Sequence, residues 1–209
     1  MPLCLRGQDL RQTSFKGQDL REANLSRADL RGADLRESDL EGAKLLMARY
    51  DSLTLWPEGF AYRSSGAVGP GAQLSGKYLC TADLRGMDLR GAQMLGVYLG
   101  GADLRGALLQ EVSFVSGDLR RARFCGALMR GCRFRDAELD GCDFRGADLR
   151  EAELGEAASV VGAVFTGALG LPDWAPALLQ RSPSELDQWN ALARCSTRDS
   201  LEGRPDQAS

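Results

Sequence analysis

Histidine is absent from this chain of 209 residues. Without an imidazole there is no histidine base for a catalytic triad and no metal site with a histidine ligand. The six cysteines include no Cys-x-x-Cys pair, which argues against a zinc site. We therefore expect neither a bound metal nor a cofactor.

Long apolar runs are also lacking. No stretch approaches the roughly 18 apolar residues that mark a membrane-spanning helix. The opening residues MPLCLRGQDL do not combine a basic region with an apolar run, as a secretory signal does. Cysteines in a chain without an export signal are typically reduced thiols. We expect a cytoplasmic protein that does not associate with a membrane.

An excess of charge of either sign is lacking too. Lys and Arg number 26 against 29 Asp and Glu, which gives a formal net charge of -3. Nucleic-acid-binding proteins usually carry a basic excess or patch, so no direct nucleic-acid binding is expected. Phosphate-binding loops and nucleophile elbows are absent from the sequence, and no carboxylate pair has a special spacing. The chain is therefore not expected to be an enzyme.

The dominant feature of the sequence is a period of five. A large apolar residue recurs at every fifth position from Leu5 to Tyr50 and again from Leu74 to Leu154, usually with Ala or another small residue two positions earlier. The tripeptide Asp-Leu-Arg occurs at nine sites. Neither the 3.6-residue period of an α-helix nor the two-residue period of a strand places these positions on one face.

A backbone that turns after every five residues satisfies the pattern. Each pentad then directs its central Leu or Phe and its small residue inward, and four sides close a coil of about twenty residues that stacks at strand spacing. The small residue is needed because a narrow column must fill at the density of a protein interior. The sequence thus predicts an all-β solenoid.

The repeats closely resemble those of the pentapeptide-repeat family, whose consensus is A(D/N)LXX, over residues 3–50 and 72–156. The resemblance implies a right-handed quadrilateral β-helix. One group in the family, the Qnr-type quinolone-resistance proteins and relatives that guard antibiotic producers, binds DNA gyrase or topoisomerase IV and protects it from poisons. The resemblance therefore implies a type II topoisomerase as partner, and a general protein-interaction or regulatory scaffold is the alternative.

The repeat is interrupted at residues 51–71, which we predict to form a loop ejected from one corner of the solenoid, since Gly, Pro and Ser are frequent there. The segment resembles a Y-D-x-x-T-x-W-P-x-G-F stretch that recurs in pentapeptide-repeat proteins, although Ala61-Tyr62 replaces the usual Asp-Pro. Its aromatic residues are Trp56, Phe60 and Tyr62. They either pack back on the solenoid as a flap or contact a partner.

The repeat fades after Leu169, so we predict a solenoid over residues 1–171, a helical C-terminal cap over 172–194 and a disordered tail over 195–209. Ser182-Pro183-Ser184-Glu185 has the spacing of a capping box, with Pro at the first helical position. A cap is expected because an open coil end exposes unpaired backbone groups.

The outward positions next to each central residue mostly carry Asp and Arg, which predicts exposed ion pairs of little energetic weight. Apolar residues replace them at three pairs of positions twenty apart. These are Tyr78 with Tyr98, Leu95 with Val115, and Leu108 with Leu128. Such groups either lie beneath the loop or the terminal helices, or form a surface for a partner or a homodimer.

Two carboxylates complete the predicted contact residues. A protein that mimics DNA needs acidic groups without compensating cations, and only small patches qualify. Glu138 and Asp140 lie in one such patch and are assigned to partner binding. Cys132 and Cys142 instead occupy the small inward position, where a buried apolar role is expected.

Overall fold

The computed structural model describes residues 2–203. The chain divides into two compact units, Met1–Leu74 and Ser75–Ser209, so the solenoid predicted for residues 1–171 falls into both of them. In each unit the backbone turns every five residues, and isolated residues pair in parallel with residues of the next coil. In the first unit Asp9 pairs with Asp29, and in the second Tyr78 pairs with Tyr98. The predicted register of twenty is therefore confirmed within each unit.

Backbone hydrogen bonds hold neighbouring coils together. The amide of Leu79 donates to the carbonyl of Tyr98 at 2.7 Å, and the amide of Tyr98 donates to the carbonyl of Lys77 at 3.0 Å. Most corners have a residue with positive φ, which glycine adopts without strain, as Gly86 does at 62°. Arg121 takes the same corner conformation at 61°. The turns are thus compatible with polar side chains as well as with glycine.

The core runs through the centre of the coils. Central Leu and Phe residues and the small residues beside them are almost entirely buried, as predicted. In the second unit the aromatic rings form continuous stacks, with Phe124 and Phe144 at 5.1 Å between centroids and Phe144 and Phe165 also at 5.1 Å. The coils are therefore stabilised by ring stacking along the column as well as by burial.

The interruption of the repeat is shorter in the structure than the predicted loop of residues 51–71. Leu55 pairs with Asp34, and Val68 pairs with Arg49, so both ends of that segment belong to coils of the first unit. The Thr54 side chain is buried and donates to the carbonyl of Leu30 at 2.9 Å. Only residues 56–65 leave the repeat, and they include the 3₁₀ helix Tyr62–Ser64.

The end of the second unit departs from the repeat in five short elements. They are helix α1 (Leu171–Leu178), helix α2 (Pro183–Leu186), strand β1 (Trp189–Asn190), strand β2 (Cys195–Ser196) and helix α3 (Thr197–Leu201). The two strands pair antiparallel, with Trp189 opposite Ser196. No helix in the described part of the chain is long and apolar enough to cross a membrane.

These elements bond to the last coil through side chains. Trp174 Nε1 donates to the carbonyl of Leu149 at 3.2 Å, and Thr197 Oγ1 donates to the carbonyl of Val160 at 3.3 Å. The start of the predicted disordered tail instead forms β2 and α3 over residues 195–201. The reason is that β2 pairs with β1 and α3 contacts the coil. The remainder of the predicted tail, residues 204–209, lies outside the described residues.

Candidate partner-binding surfaces

The tyrosine ladder, formed by Tyr78 and Tyr98, is the most exposed aromatic feature of the second unit. The two rings stack at 4.4 Å between centroids with an interplanar angle of 8°. Tyr78 is 77% exposed and Tyr98 is 38% exposed. The ladder exists because both residues occupy the same outward position in successive coils. It offers a flat aromatic surface that no other described residue of its unit covers.

The other predicted apolar residues lie on further sides of the same coils. Leu128 is exposed and pairs with the half-buried Leu108 on one side. Leu95 is 52% exposed on another side, where the amide of Gly96 donates to the carbonyl of Val115. The structure therefore does not gather the three predicted pairs into one patch. Only Leu95 comes near the ladder in sequence, three residues before Tyr98, across a corner.

The aromatic residues of segment 56–65 pack mainly on one another. The Trp56 ring is parallel to that of Tyr62 at 5.1 Å and stacks with that of Phe60 at 5.7 Å, while Tyr50 meets both Trp56 and Tyr62 edge to face. All three predicted contact residues are half-buried. This geometry supports the interpretation of the segment as a flap packed on its own unit.

Tyr50 is the anchor beneath this aromatic cluster. Its hydroxyl donates to the carbonyl of Pro70 at 2.8 Å, and burial raises the pKa of its phenol. Gly69 lies against the ring, and a Cβ there would come within 2.7 Å of Tyr50 Cδ2. Glycine at this position therefore makes the room that the larger central residue needs.

Ion pairs between Asp and Arg two residues apart cover much of the exterior. In the pair of Asp103 and Arg105, Nε and Nη2 of the guanidinium donate to the two carboxylate oxygens at 2.8 and 2.7 Å. These hydrogen bonds lower the pKa of the Asp103 carboxyl. The same arrangement recurs at Asp9, Asp19, Asp29, Asp34, Asp83, Asp88, Asp118, Asp143 and Asp148. Most aspartates of the repeat are therefore neutralised by a cation of their own pentad.

The two predicted acidic contact residues are also engaged within the protein. Glu138 forms an ion pair with Arg120 at 3.0 Å. Asp140 accepts hydrogen bonds from the Ser159 hydroxyl and, at 3.0 Å, from the amide of Val161. Neither carboxylate stands free for a partner, which weakens the idea of DNA mimicry at this patch.

Sequence reasoning missed two arginines of the second unit, Arg121 and Arg123. They line a groove of about 410 Å³ whose other wall includes Asn190, Leu192 and Ala193. A signal was present in the sequence. Arg123 occupies the outward position that is Asp103 twenty residues earlier and Asp143 twenty residues later, so a cation replaces an acid in that column.

The cysteines differ in their burial. All six are free thiols, and no group of three or more potential metal ligands occurs among residues 2–203. Cys132 and Cys142 are buried in the small inward position as predicted. Burial raises the pKa of Cys132 to about 12, which keeps this thiol protonated at neutral pH.

The sequence matches the model of the family described as pentapeptide repeats in eight copies, over residues 5–46, 71–106 and 118–155. These ranges cover more than half of the chain. The chain belongs to the pentapeptide-repeat family. Pentapeptide-repeat proteins of known structure are β-helical solenoids, in agreement with the parallel register of twenty.

Solved structures of several pentapeptide-repeat proteins are similar to the chain. A pentapeptide-repeat protein of the Arabidopsis thaliana thylakoid lumen is 29% identical, with 64% of this chain and 89% of that chain covered and a TM-score of 0.32. HetL, a regulator of heterocyst differentiation from a Nostoc cyanobacterium, is 25% identical with 81% and 91% covered and a TM-score of 0.32. The plasmid-mediated fluoroquinolone resistance protein QnrB1 is 16% identical with 86% and 96% covered and a TM-score of 0.28. A comparison with curated proteins gives no match.

Proposed function

We propose that this pentapeptide-repeat protein is a non-enzymatic, cytoplasmic binding protein that presents its outer side chains to another protein. The tyrosine ladder is the observation that carries the proposal. Many other outward positions hold Asp-Arg ion pairs, whereas Tyr78 and Tyr98 place two stacked rings in solvent. Tyrosine is enriched at protein interfaces because it gives a large contact area at low entropic cost.

As the specific partner we propose a type II topoisomerase, DNA gyrase or topoisomerase IV, which the chain would protect against a poison. Support comes from the resemblance of the repeats to the pentapeptide-repeat family, which includes the Qnr-type group. Because the Asp carboxylates are paired with Arg, we propose that binding uses apolar and aromatic contacts instead of mimicry of DNA phosphates. Trp56, Phe60 and Tyr62 would then act through the exposed edge of their cluster.

A gyrase supercoiling assay with and without a quinolone tests the topoisomerase proposal. The wild-type protein in excess should restore supercoiling in the presence of the drug, and Tyr78→Ser with Tyr98→Ser should reduce that rescue. A matched control replaces the other apolar pair, with Leu108→Ser and Leu128→Ser. No binding to gyrase and no rescue by the wild-type protein would refute the topoisomerase proposal.

A general interaction scaffold is the second candidate, and the distribution of apolar residues favours it. Leu95, Leu128 and the tyrosine ladder lie on different sides of the coils, so one partner need not contact them all. A homodimer is one form that such a contact can take. Light scattering of the wild-type protein and the ladder variant tests it, since a dimer that depends on the ladder should dissociate when both rings are removed.

We also propose that the coils have the right-handed quadrilateral form that the resemblance implies, with residues 171–203 as their C-terminal cap. The hydrogen bonds from Trp174 and Thr197 to the last coil support the cap. A cap would satisfy carbonyl groups that no further coil can pair. Truncation before Leu171 should therefore lower the unfolding temperature and expose the coil end to association.

A further inference from the structure

The groove beside strand β1 combines two kinds of surface. Its floor is formed by coil residues, among them Arg121, Arg123 and Val164, and its rim by Leu192 and Ala193 from the turn between β1 and β2. Arg121 stands at a corner between two glycine corners, Gly101 and Gly141, in the coils before and after it. A Cβ at Gly141 would make an ordinary contact of 3.4 Å with Arg121 Cγ, so the stem of Arg121 packs closely over this corner.

The positive side chains in this groove outnumber the negative ones. Neither Arg121 nor Arg123 has an ion pair among residues 2–203, unlike the arginines of the Asp-Arg pairs. The groove also contains Asp143 and Arg145, which bind each other through two hydrogen bonds of 2.9 and 2.6 Å and so contribute no net charge. The groove therefore presents about two uncompensated positive charges, a local excess on a chain whose net charge is -3.

The apolar rim is held rigidly in the exposed position. Asn190 donates to the carbonyl of Gly162 at 2.8 Å, which ties the turn to the coil. Its side-chain oxygen accepts from the amides of Leu192 at 3.0 Å and Ala193 at 3.1 Å. Leu192 is 86% exposed, and these hydrogen bonds hold its backbone in place. Leu192 thus places one fixed, exposed apolar group beside two unpaired cations.

We propose that this groove binds an extended acidic segment of a protein partner, with carboxylates on Arg121 and Arg123 and an apolar side chain against Leu192. Guanidinium groups bind carboxylates through paired, charge-assisted hydrogen bonds. The exposed Leu192 at the rim favours a peptide that mixes acidic and apolar residues over nucleic acid, because a phosphate backbone brings no apolar side chain to this position. The proposal does not depend on a topoisomerase partner.

Fluorescence anisotropy with a labelled peptide tests the proposal on the full-length protein. The probe is a capped twelve-residue peptide that repeats Asp-Leu-Glu, and the same peptide with Lys in place of the acidic residues is its control. The wild-type protein should bind the acidic probe with a Kd below about 1 mM, more weakly as salt is added. The variant with Arg121→Gln and Arg123→Gln should lose about tenfold or more in affinity.

Matched variants separate a specific groove from general charge attraction. Arg133→Gln removes an unpaired, exposed arginine from the equivalent outward position two pentads after Arg123 and should leave the affinity within about twofold. Leu192→Ser should weaken binding severalfold, whereas Leu95→Ser, an exposed leucine on another side, should not. Circular dichroism should show that all variants keep the wild-type fold, since every replaced side chain is exposed.

Three results would overturn the proposal. The first is failure of the wild-type protein to bind the acidic probe. The second is an equal loss of affinity in the Arg133 variant and in the Arg121 and Arg123 variant, which would mean diffuse attraction. The third is tighter binding of a single-stranded oligonucleotide of twelve nucleotides that depends on Arg121 and Arg123, which would assign the groove to nucleic acid.

Discussion

Phe144 stacks on Phe124 and on Phe165 within the core of the second unit, and its side chain is fully buried. Replacement by alanine would remove both stacking contacts of this ring and leave a cavity that the hydrogen-bonded coils cannot close. We expect Phe144→Ala to lower the free energy of unfolding by about 3–5 kcal/mol. Chemical denaturation monitored by circular dichroism measures it. Phe144→Leu, which keeps most of the volume, should cost clearly less, and equal losses in the two variants would contradict this account.

The Asp148 carboxylate illustrates how the Asp-Arg pairs respond to pH. Hydrogen bonds from Arg150 at 2.8 and 2.6 Å lower its pKa in the folded state. A lowered pKa stabilises the folded state above the ordinary aspartate pKa of about 3.9, and this contribution is lost as the pH falls through the folded-state value.

We therefore expect Asp148→Asn to destabilise the protein at pH 7 and to differ less from wild type near pH 3. Unfolding by urea at both pH values gives the two differences in free energy. Asp136→Asn is the control, because Asp136 is an exposed acid outside these bidentate pairs. This variant should change the free energy of unfolding little at either pH. A difference between Asp148→Asn and wild type that does not shrink on acidification would show that the carboxylate charge is not the cause.

The burial of each cysteine should decide how readily its thiol reacts. Cys4 and Cys80 are exposed, whereas Cys132 and Cys142 are buried, and burial raises the pKa of both buried thiols. We expect iodoacetamide at pH 8 to modify Cys4 and Cys80 in the native protein and to leave Cys132 and Cys142 unmodified until the protein is unfolded. Peptide mass spectrometry identifies the modified residues. Modification of Cys132 in native protein at the rate of Cys80 would contradict the closed core.

At the scale of elements, two serines begin C-terminal helices with different partners. The Ser196 hydroxyl accepts from the amide of Asp199 at 3.1 Å, and the Asp199 carboxylate accepts from the amide of Ser196 at 3.0 Å, which makes a complete capping box. Ser182 begins α2 without a side-chain capping bond to the helix backbone, and its hydroxyl instead lies 2.9 Å from that of Ser184.

The two serines therefore form a matched pair of test sites. Ser196→Ala should lower the free energy of unfolding by about 0.5–2 kcal/mol, because it removes an N-cap bond. Ser182→Ala should have little effect. Thermal unfolding of the two variants side by side measures the difference, and equal effects would mean that the capping box does not stabilise the protein.

The same serines show what local patterns can and cannot predict. The spacing of Ser182 and Glu185 correctly predicts a helix that begins with Pro183, but the Glu185 carboxylate accepts from the amide of Val160 and from Arg181 instead of closing a box. A contact 25 residues away in sequence competes with the local one. Ser196 and Asp199 carry a similar signal, and it was hidden by the polar composition of the last residues.

The loop boundaries show a related limit. The period of five predicts the coils on both sides of the interruption, but the pairing of Leu55 with Asp34 needs one extra residue in its coil and that of Val68 with Arg49 needs one fewer. A search for strict periodicity therefore assigns these residues to the loop. The backbone hydrogen bonds between neighbouring coils keep the pairing in place despite these two changes in length. Such bonds cannot be identified from the period of five.

At the scale of the molecule, the core was predictable and the candidate sites only partly so. Every inward position needs an apolar or small side chain that fits the narrow core, so the composition and the period of five are enough to identify the core residues. The groove of Arg121 and Arg123 depends on the turn at Asn190, which reaches the coil through Gly162. Such a meeting of distant segments has no periodic signature, and only the replacement of an acid by Arg123 in its column pointed to it.

The register of twenty also governs how such a chain tolerates a change in length. Tyr78 lies against Tyr98 only while the stretch between them keeps its number of residues. Loss of a single pentad from that stretch would leave every Leu and Phe inside yet bring Asp103 beside Tyr78, rotating all later surface residues by a quarter turn. Removal of a whole coil would restore the alignment. Recognition in such a protein is therefore far more sensitive to small insertions and deletions than folding is.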